Sequence, residues 1–153
     1  MENILIIGSE GQLGSELEDY LVSLYGRKKI YSSDIKKNNS NSENFIVLDA
    51  LDKDDIYNTI KENNIKIVYH LAAILSAKGE DNPIKTWNLN MNTLFNILEL
   101  AKEKILSKVF WPSSIAVFGP SSPKNPAPQF SIMDPTTVYG ISKLAGERWC
   151  EYY

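Results

Sequence analysis

The chain has a single cysteine, Cys150, which excludes an internal disulfide and fits a reducing compartment, so a cytoplasmic location is expected. It also has a single histidine, His70. One histidine and one cysteine make no zinc cluster, so no metal site is expected. A Ser-His-Asp hydrolase would need His70 as its base, and no nucleophile-elbow sequence accompanies it. His70 sits within an apolar strand pattern and reads as a hydrogen-bonded core residue. Long apolar runs are missing as well. The N-terminus offers only the isoleucine-rich run at 4–7 and no arginine-rich leader, so no signal peptide, transit peptide or membrane span is expected. Neither sign of charge dominates. The net charge is −3 with both signs interspersed, which leaves no basic face for nucleic acid or an anionic membrane. What remains is an ordinary globular composition in 153 residues, read as one domain over 1–153 that buries roughly 70% of its unfolded surface.

Apolar periodicity gives an alternating pattern. Strands are expected at 3–7, 29–34, 44–49, 65–73 and 108–114, the second and third split by a polar loop at 36–42. Helices are expected at 12–25 (Leu13, Leu17, Leu21 and Leu24 on one stripe), at 52–63, from Pro83 to about 104, and from Val138 through Tyr153. A proline-rich loop carrying Pro120, Pro123, Pro126, Pro128 and Pro135 is too long for a mere connector. Strands alternating with helices imply an α/β, Rossmann-like, doubly wound parallel sheet. Ligands of such sheets bind beyond the carboxyl ends of the strands, where Gly8, Asp34, Asp49, Ala72 and Ser114 are expected to gather.

Gly8-Ser9-Glu10-Gly11-Gln12-Leu13-Gly14 joins the first strand to the first helix. The first glycine permits a tight turn, the second a close phosphate approach, and the third close packing of helix on sheet. The pyrophosphate of a dinucleotide would then meet the N–H groups of Gln12 and Leu13 at the helix start. Asp34 follows Gly14 by 20 residues and ends the second strand, where its carboxylate would bind the adenosine ribose diol. It would also repel a 2′-phosphate, favouring NAD over NADP. Lys36 and Lys37 could reach such a phosphate but read as solvated loop lysines. Asp49 ends the third expected strand, where a carboxylate either contacts adenine or closes a surface turn; spacing does not choose.

Tyr-x-x-x-Lys occurs three times, as Tyr25…Lys29, Tyr57…Lys61 and Tyr139…Lys143, and the first two read as ordinary helix-surface pairs. Context selects the third: a helix start, a preceding strand ending in Ser113-Ser114, and a loop able to fold over a ligand. A phenol with a reference pKa of about 10 must come down to near 7 to act as a base, a difference of about 4 kcal/mol. A helix N-terminus supplies roughly 0.3–1 kcal/mol of that. Lys143 and the positive nicotinamide would supply most of the rest. Ser114 would hold a substrate hydroxyl while Tyr139 takes its proton. The aromatic run Trp149, Tyr152 and Tyr153 reads as packing.

These residues resemble the extended short-chain dehydrogenase/reductases, the NAD-dependent epimerase/dehydratase family. The matching motifs are Gly8-x-x-Gly11-x-x-Gly14, His70-Leu71-Ala72-Ala73, Asn90, Ser113-Ser114-x-x-Val117-Phe118-Gly119 and Tyr139-x-x-x-Lys143. Longer stretches around Leu71, Phe110 and Pro135 look like the short-chain type of NAD-dependent L-threonine 3-dehydrogenases. The resemblance covers all 153 residues. It implies oxidation of L-threonine to 2-amino-3-ketobutyrate, with Tyr139 as base, Lys143 orienting the nicotinamide ribose, and Ser114 positioning the threonine hydroxyl. It further implies substrate contact by Ser76, cofactor contact by Leu71, Ala72, Ala73 and Asn90, and a homodimer paired through helices 84–104 and 138–153. A nucleotide-sugar epimerase and a non-catalytic NAD-binding fragment are the alternatives; a 4,6-dehydratase would carry Asp-Glu where this chain has Ile115-Ala116. The chain departs from the resemblance in Glu10, a carboxylate inside the phosphate turn expected to weaken NAD binding if it faces inward. It departs again in length, since such enzymes add further strands and a substrate lobe, which leaves the fifth strand as an edge.

Overall fold

The structure is a computed structural model and describes residues 2–36 and 43–153. Lys37 and most of the loop at 36–42 lie outside the described residues. The chain divides into two compact units, one of Met1–Ala73 with Thr93–Pro112, the other of Ile74–Asn92 with Ser113–Tyr153.

The first unit holds five strands in one all-parallel sheet: β1 (Asn3–Ile7), β2 (Ile30–Asp34), β3 (Phe45–Val47), β4 (Ile65–His70) and β5 (Lys108–Phe110). The order β3-β2-β1-β4-β5 puts β1 at the centre and reverses direction of winding there, as in a Rossmann-like sheet. Helices α1 (Gln12–Tyr25) and α2 (Lys53–Glu62) connect the strands. The run Ile4 to Ile7 explains the double winding. Successive strand side chains point to opposite faces. Ile4 and Ile6 therefore pack with Leu21 of α1, while Leu5 and Ile7 pack with Ile56 and Ile60 of α2. A central strand covered on both faces needs an unbroken apolar sequence rather than an alternating one. Each isoleucine or leucine so buried contributes roughly 1.5–3 kcal/mol relative to exposure. His70 is buried here, its Nε2 3.0 Å from the Thr93 hydroxyl, as expected of a core histidine.

Several strands are shorter than the periodicity implies, each for a local reason. β3 bonds only to β2, which ends at Asp34, so its ladder stops at Val47 opposite that residue. β4 stops at His70 because Leu71 and Ala72 both donate to one acceptor, the Ile7 carbonyl at the end of β1. β5 stops at Phe110, two residues before Pro112, which has no N–H to extend a ladder. Residues 27–29 form a 3-10 turn after Gly26 (φ 81°) rather than the start of β2. Asp49, Ala72 and Ser114 therefore sit in loops after their strands, not at strand ends, and Ser114 belongs to the second unit.

The second unit contains a one-turn helix, α3 (Ser76–Gly79), which the sequence pattern did not reveal. It also contains the first half of α4 (Pro83–Lys102), a 3-10 turn at Ile115–Val117, the proline-rich loop, and α5 (Val138–Tyr152). Thr137 caps α5, its hydroxyl accepting from Gly140 N–H at 3.1 Å. The Glu80 carboxylate accepts from Val138 N–H at 2.8 Å. The loop is closed at its base by Asp134, which accepts from Ser121 N–H (2.9 Å) and the Ser122 hydroxyl (3.2 Å). These bonds hold its carboxyl below the usual carboxylate range. Trp149, Tyr152 and Tyr153 cluster at the end of α5, with ring centroids 5.6–6.2 Å apart.

Candidate functional site

In the first unit the glycine turn is pinned to β2: Gly8 and Ser9 both donate to the Ser33 carbonyl. Gly8 has φ +90° and lies so close to β4's exit that a Cβ would stand 2.7 Å from Ala72 N. At Gly14 a Cβ would fall 2.3 Å from the Gly8 carbonyl oxygen, so this position in the first turn of α1 accepts only glycine. Gly11 differs. A Cβ there would meet only the Gly8 oxygen, at an ordinary 3.4 Å, so the protein's own packing does not demand glycine. The open space in front of Gly11 is what a phosphate would occupy.

The helix start supports the same use. Gly11 provides no side-chain cap to α1, and no acidic residue stands in its first turn. The positive end of the helix and the first N–H groups, those of Gln12 and Leu13, thus face outward uncompensated; Gln12 and Leu13 are both exposed. Across the turn, Asp34 is held in a fixed orientation, its carboxylate accepting from Glu10 N–H (3.1 Å) and Ile35 N–H (2.8 Å). Glu10 is half-buried and serves the site through its main chain, by that bond. Asp49 is exposed and spends one carboxylate oxygen on Leu51 N–H at 2.9 Å, closing its own turn. Leu71 and Ala72 are half-buried beside Gly8, and Ala73 after them is half-buried too.

In the second unit, α5 carries Tyr139 in its first turn and Lys143 one turn on. The Lys143 ammonium lies 5.6 Å from the Tyr139 ring centroid. That distance is not distinctive, because Lys61 stands equally far from Tyr57 on α2. Burial separates the pairs. Lys143 is 4% exposed, whereas Lys61 is on the surface. Loss of hydration pushes the Lys143 pKa down to about 8, with a lesser opposing influence from Cys150. Tyr25 and Lys29 do not share a helix at all, since α1 ends at Tyr25 and Gly26 turns the chain; the reading of that pair as helix-surface neighbours is corrected.

Ser114 caps the 3-10 turn, its Oγ accepting from Ala116 N–H at 3.2 Å. That bond uses the oxygen and leaves the O–H to be donated. The turn meets α5 at Gly140, where a Cβ would fall 2.2 Å from the Ala116 oxygen. Asn90 is buried, and its amide clamps a loop to the helix. It accepts from Ile74 N–H (2.9 Å) and donates to the Ile74 carbonyl (3.1 Å) and the Ser142 hydroxyl (3.2 Å). Ser142 in turn donates to the Tyr139 carbonyl at 2.8 Å. Ser76, half-buried, opens α3. An open cleft of about 710 Å³ is bounded by Ser113, Ser114, Phe118, Phe130, Met133 and Glu147. Two of these lining residues are bonded, the Ser113 hydroxyl donating to the Glu147 carboxylate. Sequence reasoning did not single out Ser142 or Glu147; the signal for Glu147 was its spacing, four residues after Lys143 and eight after Tyr139 on one helix face.

Comparison with known proteins fits this arrangement. Residues 4–153 match the NAD dependent epimerase/dehydratase family, and the chain belongs to it. A consensus L-threonine 3-dehydrogenase of known structure is 50% identical, with a TM-score of 0.95 over 99% of this chain and 49% of its own. An L-threonine dehydrogenase from Cupriavidus necator, in its holo form, is 48% identical, with a TM-score of 0.95 over 99% of this chain and 50% of its own. A Staphylococcus epidermidis protein described as an uncharacterized epimerase/dehydratase is 41% identical, covering 100% of this chain and 49% of its own length. The chain spans about half the length of the curated relatives it matches. NAD is the cofactor of this family, and the bare Gly11 turn, the uncapped α1 start and the oriented Asp34 carboxylate suit it. Among the described residues no group of metal ligands occurs, and no helix is long and apolar enough to cross a membrane.

Proposed function

We propose that this chain carries the cofactor-binding and catalytic groups of an NAD-dependent L-threonine 3-dehydrogenase, producing 2-amino-3-ketobutyrate. The observation that carries the chemistry is the buried Lys143 beside Tyr139 on the first turns of α5. The threonine assignment is supported by the solved L-threonine dehydrogenases that resemble this chain at 48–50% identity. When bound, NAD supplies the hydride acceptor. Gly8, Gly11, Gln12, Leu13 and Gly14 seat its pyrophosphate, and Asp34 takes the adenosine ribose. Asp49, Leu71, Ala72, Ala73 and Asn90 border it. Lys143 holds the nicotinamide ribose and favours the Tyr139 phenolate by its charge. Ser114 donates its O–H to the threonine hydroxyl oxygen, and Ser76 contacts the substrate. Tyr139 takes the hydroxyl proton as the hydride leaves the same carbon, which becomes a ketone. The whole protein works in the cytoplasm as a homodimer through helices 84–104 and 138–153, a pairing that light scattering on the intact protein tests.

Threonine-dependent appearance of NADH tests the reaction, with Tyr139→Phe expected to lose about 10²–10⁴-fold in kcat. Conversion of UDP-galactose to UDP-glucose with no threonine activity would favour an epimerase instead. NAD binding with neither activity would make the chain a binding unit only.

A further inference from the structure

We propose that Glu147, acting through Ser113, is a positioning residue that sets the Ser114 hydroxyl against the face of α5 carrying Tyr139 and Lys143. Ser114's own bond is local, to Ala116 N–H within the 3-10 turn. The turn is tied to α5 at two other points. One is the close approach of Gly140 to the Ala116 carbonyl at the helix start. The other is the bond from the Ser113 hydroxyl to Glu147, two helical turns further on. A single point of contact leaves a segment free to pivot; a second, at a distance along the same helix, fixes its direction. Residues 139, 143 and 147 are successive fourth residues and share one face of α5. The tether therefore joins the residue beside Ser114 to the same face that presents the tyrosine. Glu147 is suited to the task. Its side chain is 24% exposed, its Oε1 accepts the Ser113 hydrogen bond, and its Oε2 stands 3.7 Å from Arg148 Nη2, while the other terminal nitrogen, Nη1, pairs with Glu151. A charged acceptor makes a hydroxyl hydrogen bond shorter and stronger than a neutral one.

The kinetic test rests on the threonine dehydrogenase reading; the structural test does not. In the intact protein, Ser113→Ala and Glu147→Ala are each expected to lower kcat for threonine by about 10-fold, since displacements near 1 Å cost up to two orders of magnitude. The double variant should be no worse than either single one, the NAD Kd should stay unchanged, and Glu147→Gln, which keeps an acceptor oxygen, should recover most of the rate. Unchanged kcat, or losses that multiply in the double variant, would overturn the proposal. Crystal structures of the NAD-bound wild type and Ser113→Ala give a readout independent of turnover. The separation of Ser114 Oγ from Tyr139 Oη should grow by about 1 Å in the variant. Superimposable hydroxyls would defeat the positioning role. A wild type silent toward threonine would defeat only the substrate reading, and the measured separation would still decide the role of Glu147.

Discussion

Individual residues carry different burdens even within one motif. Gly14 and Gly8 are required by the protein's own backbone, whereas Gly11 is not. Gly11→Ala should therefore fold with an unchanged Tm and lose about 10-fold or more in NAD affinity, measured by titration, while Gly14→Ala should lose stability by about 1–3 kcal/mol or more through overpacking. A large drop in Tm for Gly11→Ala would contradict the assignment of its open space to a ligand. Lys143 presents the opposite case, a group kept at a cost. Its pKa falls from 10.5 to about 8 in the folded state. Below pH 8 both states hold the proton and the cost of burying the charge is fully present. Between about 8 and 10.5 the unfolded chain binds the proton and the folded one does not, so this residue's contribution to stability rises with pH. Lys143→Met should raise Tm at pH 7 by on the order of 5 °C and lose that advantage as pH approaches 10.5, followed by calorimetry. An equal gain at both pH values would exclude the charge as its cause.

At the scale of elements, helix starts distinguish binding from structure. α1 begins uncapped, while α5 has its first amides taken by Thr137 and Glu80. The dipole end of α1 has no side-chain cap, whereas that of α5 is spent inside the fold. Thr137→Ala should cost about 1 kcal/mol in stability, and Thr137→Ser should restore it, as read by denaturant midpoints. The long helices were legible in the sequence because their apolar stripes recur at helical spacing, and Pro83 marks the start of α4. Strand ends were not. Each of β3, β4 and β5 ends where its partner strand or a proline stops the ladder, and pairing partners are invisible to periodicity. α3, a single turn, is too short to show a period.

For the whole molecule, cofactor binding should appear as stabilisation. Saturating NAD is expected to raise Tm, by about 2.7 kcal/mol of linkage at 100 times Kd. On the ribose role proposed for Asp34, NADP should do less, because a carboxylate held by two backbone amides would repel the 2′-phosphate. Asp34→Ala should narrow that difference; equal thermal shifts with both cofactors in the unaltered protein would remove Asp34 from the ribose site. The sequence alone determined the alternation of strands and helices and the glycine turn, and it singled out Tyr139 and Lys143 among three matching pairs, since local propensity, apolar period and residue chemistry are written in the chain. Only the tertiary structure decided that Gly11 is open while Gly14 is filled, that Lys143 is stripped of water while Lys61 is not, and that Ser113 reaches Glu147. Those depend on which distant atoms meet, and packing between remote segments sets hydration and reach in a way no spacing along one chain can encode.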